Sequence, residues 1–138
     1  MHVRPDDVST MSFDWGTIKW LVTPSNVPGV GSTQGEVVVN PGYGHARHLH
    51  ESEELIYIVS GEAEQMVDDG EPFIIRAGDM VQIPARVYHS TRNLTWRPLH
   101  MIITYTPGGE EESLKGSPDF RLYPPASTPE WVRNPPVA

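Results

Sequence analysis

Two histidines separated by one residue, His48 and His50, precede a glutamate, Glu54, and an apolar run that begins at Leu55. Side chains at positions i and i+2 of a β-strand point to the same side. If this segment is extended, the two imidazoles converge on one point, and Glu54 can join them from just past a bend. On a helix they would diverge by roughly 200°, from 3.6 residues per turn. Imidazoles with a carboxylate suit a divalent first-row metal ion, so the spacing predicts an extended, metal-binding segment.

Short apolar runs separated by turn signals make up most of the chain before residue 107. They lie at 18–22, 36–39, 55–59, 73–75 and 99–105. The 138 residues include 14 prolines and 12 glycines, and no long segment has a helical period. Many short strands divided in this way are typical of an all-β sandwich or barrel. The length is that of one domain with a substantial hydrophobic core.

A second segment, which contains His89, completes a pattern that resembles the cupin family. The family's first motif is matched by Gly42, His48, His50, Glu54 and Gly61, and its second by Gly78, Pro84, His89 and Asn93. One position departs, because Arg86 stands where the family usually has glycine. Either the turn there is relaxed or the arginine is held in an unusual backbone conformation. The motifs cover residues 42–93, and flanking strands extend the resemblance to about 15–107.

The resemblance implies a double-stranded β-helix, the jelly-roll barrel of cupins, with a metal ion inside. The implied ligands are His48, His50, Glu54 and His89. One divalent ion is expected, with manganese or iron favoured and zinc, nickel or cobalt as alternatives. Three neutral imidazoles and one carboxylate leave two open positions on an octahedral ion for a substrate oxygen or dioxygen. The ligand set is similar to that of germins, oxalate decarboxylases and quercetin dioxygenases.

Strand alternation predicts which other side chains line the cavity. If Glu54 faces inward, Ile56 and Ile58 do so too, and Tyr57 faces outward. On the run 99–105, comparison with small cupins favours an inward face that contains Ile102, Thr104 and His100, with His100 as a general base or a group behind the ligands. Of the pair Gln65 and Met66, one is expected to line the cavity.

Several polar residues near the motifs have less direct interpretations. By strand parity His45, Glu51 and Glu53 point away from the metal, to a solvated rim. Asp79 is expected to bond the backbone of its own turn. Arg86, at the mouth of the cavity, is a candidate for binding a substrate carboxylate.

The favoured function is a metal-dependent enzyme, an isomerase, lyase (dehydratase) or dioxygenase. Apolar cavity walls favour a small keto, enol or aromatic-diol substrate, chelated to the metal, over a free sugar. Glu54 is a candidate catalytic residue as well as a ligand, together with His100. The alternative is a non-catalytic ligand-binding or sensing module, because cupins host many chemistries.

Composition indicates the domain organisation and partners. A polar lead-in, 1–12, precedes the barrel, 13–107, and a Pro-rich tail, 108–138, is expected to be extended or partly disordered, with Trp131 or the pair Leu122 and Tyr123 holding it to a surface. The net charge of −8 argues against nucleic acid and anionic membranes as partners. The absence of cysteine and of a membrane-length apolar stretch fits a cytoplasmic protein. A homodimer is expected, in which outward residues Tyr57 and Val59 meet a partner and Trp15 and Trp20 contribute.

Overall fold

The computed structural model describes residues 1–129 and residue 132, so the expected role of Trp131 lies outside the described residues. The strands are β1 Thr10–Phe13, β2 Gly16–Val22, β3 Thr33–Val39, β4 Glu53–Ser60, β5 Glu62–Val67, β6 Phe73–Arg76, β7 Met80–Ile83, β8 His89–Arg92, β9 Leu99–Thr106 and β10 Arg121–Tyr123. Two 3-10 helices, Pro5–Asp7 and Glu110–Gly116, precede β1 and follow β9. Within the described residues, no helix is both long and apolar enough to span a membrane.

The strands form two antiparallel sheets. The larger sheet has the order β10-β1-β2-β3-β9-β4-β7, and the smaller has the order β6-β5-β8. Buried and more exposed residues alternate along β2, β3, β4 and β9, as expected for strands with one face on a core. The core includes Ile18, Val37, Ile56, Ile58, Leu99 and Met101. The all-β, double-stranded β-helix prediction is confirmed.

The inward face of β9 is the opposite of the one predicted. Its buried residues are Leu99, Met101, Ile103 and Tyr105. In the antiparallel pair β4–β9, Glu54 lies opposite Tyr105, Ile56 opposite Ile103 and Ile58 opposite Met101. Residues directly opposite each other share a face. The prediction that His100, Ile102 and Thr104 face the cavity is therefore wrong.

Part of the expected tail after β9 has regular structure, in the 3-10 helix Glu110–Gly116 and in strand β10. Strand β10 pairs with β1, with Leu122 opposite Met11. Glu111, in the preceding 3-10 helix, is buried, and its carboxylate accepts a hydrogen bond from the Thr33 hydroxyl at 2.8 Å. Leu122 and Tyr123 pair with β1 through the backbone, while the Leu122 side chain is 54% exposed.

Glycine and arginine occupy two turns with positive φ. Gly61 joins β4 to β5 with φ +86°, and a Cβ there would lie 2.6 Å from the Pro98 carbonyl oxygen, so only glycine fits. Arg86 has φ +60°. Of the two alternatives for this position, a relaxed turn or an arginine in an unusual backbone conformation, the structure shows the second. Its N–H donates to the His50 carbonyl at 2.8 Å, so this turn is tied to a candidate ligand.

Candidate metal centre

An isolated antiparallel bridge brings the first histidine pair to the third histidine. His48 lies opposite His89 at the start of β8, outside any regular strand of its own. A second bridge, between Gly44 and Arg92, holds the same irregular segment further along β8. The segment between β3 and β4 is thus positioned by backbone hydrogen bonds to β8. This arrangement joins residues that are about 40 positions apart in the sequence.

Three imidazoles meet at this place. One ring nitrogen from each of His48, His50 and His89 lies within 4.8 Å of the other two. The ring centroids are 4.3 Å apart for His48 and His89, 4.8 Å for His50 and His89, and 5.7 Å for His48 and His50. His89 is buried, and the other two are half-buried. This group could bind a metal ion.

Each imidazole has its Nδ1 fixed by a main-chain carbonyl oxygen two residues away. His48 Nδ1 lies 2.7 Å from Ala46 O, His50 Nδ1 lies 2.9 Å from Ser52 O, and His89 Nδ1 lies 2.9 Å from Val87 O. A carbonyl oxygen can only accept, so Nδ1 carries the proton in each ring. In the neutral tautomer Nε2 then has a free lone pair, as metal-ligating histidines require.

The Glu54 carboxylate lies against two of these rings. Its Oε2 is 3.2 Å from His50 Nε2 and 3.0 Å from His89 Nε2, and the residue is only 4% exposed. Burial acts to raise the pKa of Glu54, but hydrogen bonding from His50 and the approach of His89 outweigh it and lower that pKa to about 2. The carboxylate is therefore ionised at neutral pH.

The two half-buried histidines respond differently to their surroundings. Burial acts to lower the pKa of His50, but the hydrogen bond and charge of Glu54 reverse this and raise the pKa overall. Burial lowers the pKa of His48, with partial compensation from the Ala46 carbonyl. Glu110 Oε1 lies 3.7 Å from His50 Nδ1, so a second carboxylate stands behind this ring.

The residues present fit a divalent cation. His89 Nε2 is buried and has no hydrogen-bond partner in the described part of the chain, although it lies 3.0 Å from Glu54 Oε2. Two facing acceptors, a lone pair on nitrogen and a carboxylate oxygen, repel each other unless a proton or a cation lies between them. An ion bound by the Nε2 atoms and the carboxylate would remove that repulsion.

Sequence reasoning missed one contact of this centre, the Tyr105 ring on β9. The Tyr105 ring packs edge-on against His50, with centroids 5.1 Å apart, and burial raises its pKa well above the usual value, so its phenol stays protonated. The buried Gln65 side chain accepts a hydrogen bond from the Thr91 hydroxyl on the strand that carries His89. Inward placement of Tyr105 follows from pairing with Glu54, which no local pattern reveals. Of Gln65 and Met66, the fully buried residue is Gln65.

Other side chains that were predicted to belong to the site lie outside the histidine cluster. His100 Nε2 lies 3.3 Å from Glu36 Oε2 on the outer face, and the Thr104 hydroxyl accepts a hydrogen bond from Gln34. The Arg86 guanidinium is exposed, 3.9 Å from Glu51. Ile56 and Ile58 are fully buried, while Tyr57 is 41% exposed, so the parity predicted for β4 is confirmed. Contact of Ile56, Ile58 or Arg86 with substrate remains a prediction.

His45 is outside the ligand group, as predicted, but it is not on a solvated rim. The segment that carries it is not a regular strand, so strand parity does not apply. Its ring packs edge-on against Trp15, with centroids 4.3 Å apart, and lies 5.8 Å from the His48 ring. Burial and the neighbouring His48 lower the pKa of His45 to about 4. Glu51 and Glu53 are exposed, as expected.

A double-stranded β-helix with three histidines and one glutamate clustered inside is the architecture of a small barrel that could bind a metal ion. Residues 35–112 match the family described as the Cupin domain. The chain belongs to the cupin family. It is 34% identical over 101 residues to a protein named polyketide synthase CurC from Streptomyces cyaneus, a match that covers 72% of this chain and 64% of that relative.

Solved structures share the fold. An RmlC-like cupin from Shewanella frigidimarina superposes with a TM-score of 0.69 at 20% identity, covering 81% of this chain and 96% of that one. Oxalate decarboxylase from Bacillus subtilis, in a structure concerned with its Mn(II) centres, superposes with a TM-score of 0.69 at 21% identity. That match covers 94% of this chain and 34% of the decarboxylase. At these identities the likeness concerns the fold.

Proposed function

We propose that this chain is a metal-dependent enzyme acting on a small keto, enol or aromatic-diol compound. The observation that carries the proposal is the convergence of one ring nitrogen from each of His48, His50 and His89, with Glu54 beside two of the rings and each Nδ1 fixed by a carbonyl oxygen. Such a donor set is suited to a divalent first-row ion. An isomerase, lyase or dioxygenase reaction is compatible with this centre.

A bound divalent ion would supply Lewis acidity to a substrate oxygen. Manganese or iron is favoured, with zinc, nickel or cobalt as alternatives, because imidazole and carboxylate donors without thiolate suit these ions. The Mn(II) centres of the structurally similar oxalate decarboxylase support the same choice.

The chain's own residues would prepare the centre. Glu54 contributes negative charge without needing to lose a proton on binding, because it is already ionised. The carbonyl contacts hold the rings in the ligating tautomer. Ile56 and Ile58, two and four residues along β4 from Glu54, exclude water and lower the local polarity, which strengthens electrostatic interactions.

The substrate class is supported by the chemistry of the relatives. CurC is named a polyketide synthase. Polyketide chains carry ketone, enol and phenol oxygens, which are the groups that a Lewis-acidic centre can polarise. We therefore favour a keto, enol or aromatic-diol substrate over a sugar.

The test compares metal-stripped protein with protein reloaded with Mn²⁺ or Fe²⁺. Each form is incubated with a β-diketone or a catechol, in air and under anaerobic conditions, and product formation is measured. The proposal expects turnover only after reloading, and loss of most of it in Glu54→Gln, with Glu53→Gln as the exposed neighbouring control. Turnover that is unchanged in stripped protein contradicts the proposal. Binding of these compounds without turnover would instead assign a ligand-binding role.

A further inference from the structure

A pocket of about 270 Å³ lies next to the candidate metal centre, between the first motif and parts of the chain outside both motifs. Phe13, the last residue of β1, and Trp15, in the turn before β2, contribute to the wall, and Leu114 contributes from the 3-10 helix after β9. His48 forms part of the wall, so a molecule in the pocket would contact a residue of the candidate metal centre. His45 lines the pocket as well.

The walls are aromatic and flat. The Phe13 and Trp15 rings are stacked, with centroids 4.9 Å apart and an interplanar angle of 7°. The His45 ring meets Trp15 edge-on at 69°. Leu114, packed against the core, adds an aliphatic surface. Concave sites with apolar, aromatic walls and few polar groups bind ligands with a flat apolar body and a polar edge.

One polar atom in the wall has no partner. His45 Nε2 is buried, and no atom in the described part of the chain is hydrogen-bonded to it. A buried polar group without a partner costs free energy, so such groups in native proteins usually have a bound partner or a functional role. The His45 side chain also lines the pocket, so a small movement of the ring would let a molecule in the pocket supply the missing hydrogen bond.

We propose that this pocket binds an aromatic ring that carries a hydroxyl or carbonyl group, and that His45 Nε2 makes the hydrogen bond that orients it beside the metal centre. The inference rests on the proposed function for its substrate class, but it assigns a separate set of residues. An engineered apolar cavity of about 150 Å³ holds benzene. The volume of this pocket therefore suits one ring or two fused rings rather than a larger polycyclic body.

The test measures binding by isothermal titration calorimetry with three matched probes. These are 2-naphthol, naphthalene, which lacks the hydroxyl, and decahydro-2-naphthol, which lacks aromaticity. Both metal-stripped and Zn²⁺-loaded protein are used. We expect 2-naphthol to bind each form at least about tenfold more tightly than either other probe, because it alone satisfies both the ring walls and the polar atom.

Three variants locate the binding. His45→Leu should weaken 2-naphthol binding by about tenfold and abolish its preference over naphthalene. Trp15→Ala should weaken all aromatic probes. Ala46→Phe adds bulk at an exposed position of the pocket without removing a core contact, so it should block binding even if the other variants fold poorly. Trp96→Ala, which removes a tryptophan that is 94% exposed, is the control and should bind like the parent.

The outcomes separate this inference from the proposed enzyme function. Loss of binding in His45→Leu and Ala46→Phe, seen also without metal, supports the pocket even if no metal-dependent turnover is found. Equal affinity of parent, His45→Leu and Ala46→Phe for 2-naphthol overturns it, even if metal-dependent turnover is observed. Absence of 2-naphthol binding to the parent protein also overturns it.

Discussion

His48 and His89 face each other across an isolated antiparallel bridge in which each backbone N–H donates to the other's carbonyl, at 3.0 and 2.9 Å. The bridge places two imidazoles from distant parts of the sequence with their ring centroids 4.3 Å apart. The position of the candidate metal centre is thus determined by the main chain. Substitution of either side chain should remove a ligand while leaving this backbone pairing in place.

The acid stability of the metal-free protein should depend on Glu54. Its pKa is lowered from 4.5 to about 2, so the ionised carboxylate stabilises the fold above pH 4.5, and this stabilisation is lost as the pH falls through 2. The Glu54→Gln variant has no titrating group at this position. Its free energy of unfolding should therefore fall less than that of the parent between pH 4.5 and 2. Urea unfolding of stripped protein between pH 5 and 2 measures the difference. Glu53→Gln, at an exposed position, should follow the parent, and an identical acid profile for Glu54→Gln would contradict the assignment.

Replacing Arg86 by glycine should stabilise the protein. Arg86 has φ +60°, a conformation that costs a non-glycine residue roughly 1 kcal/mol or more. Its exposed ion pair with Glu51, at 3.9 Å, contributes little. We expect Arg86→Gly to raise the free energy of unfolding by up to about 1 kcal/mol, after the greater freedom of glycine in the unfolded chain is included. Arg86→Ala keeps the strain and should show no gain; equal effects of the two substitutions would refute this explanation.

The buried hydrogen bond between Thr91 and Gln65 should be sensitive to removal of one partner alone. Thr91→Val leaves the Gln65 carbonyl oxygen without its donor, at a cost of about 1–3 kcal/mol in the free energy of unfolding. The double variant Gln65→Leu with Thr91→Val removes both polar groups and should recover part of that loss. Chemical denaturation of the parent, both single variants and the double variant gives the coupling energy. Purely additive losses would show that the bond contributes nothing.

Self-association through the outer face of the larger sheet remains a prediction. Tyr57 and Val59 are 41% and 40% exposed, and β7 ends that sheet in the described structure. Trp20, by contrast, is 7% exposed and packs against Tyr105, so its expected contribution to a dimer interface is wrong. Sedimentation should give a dimer that Tyr57→Lys weakens. A 15.4 kDa monomer at micromolar concentration for the parent would contradict the prediction.

The convergence of His48, His50 and His89 could be anticipated from the sequence, because the spacing of the first two histidines has few structural solutions and the resemblance to the cupin motifs added the third. That these residues and Glu54 bind a metal ion remains a prediction. The buried face of β9 could not be predicted from the sequence, because apolar residues occupy both faces of this strand, as Ile102 and Ile103 show. Pairing with β4 decides which of them is buried, and register is a property of two strands. His45 was misplaced because parity was applied to a segment that is not a strand. The order of the chain after β9 depends on a distant partner, β1, that composition does not reveal.

Metal content per chain tests the account most directly. Parent protein, His89→Ala and His100→Ala are stripped, reloaded with Mn²⁺, passed over a desalting column and analysed by elemental mass spectrometry. Both variants lose one histidine, but His89 belongs to the converging group and His100 lies on the outer face beside Glu36. We expect about one ion per chain for the parent and for His100→Ala, and a loss of at least about tenfold in metal affinity for His89→Ala. The assignment of the metal centre would be contradicted if His89→Ala retained as much Mn²⁺ per chain as the parent. It would also be contradicted if the parent retained no Mn²⁺.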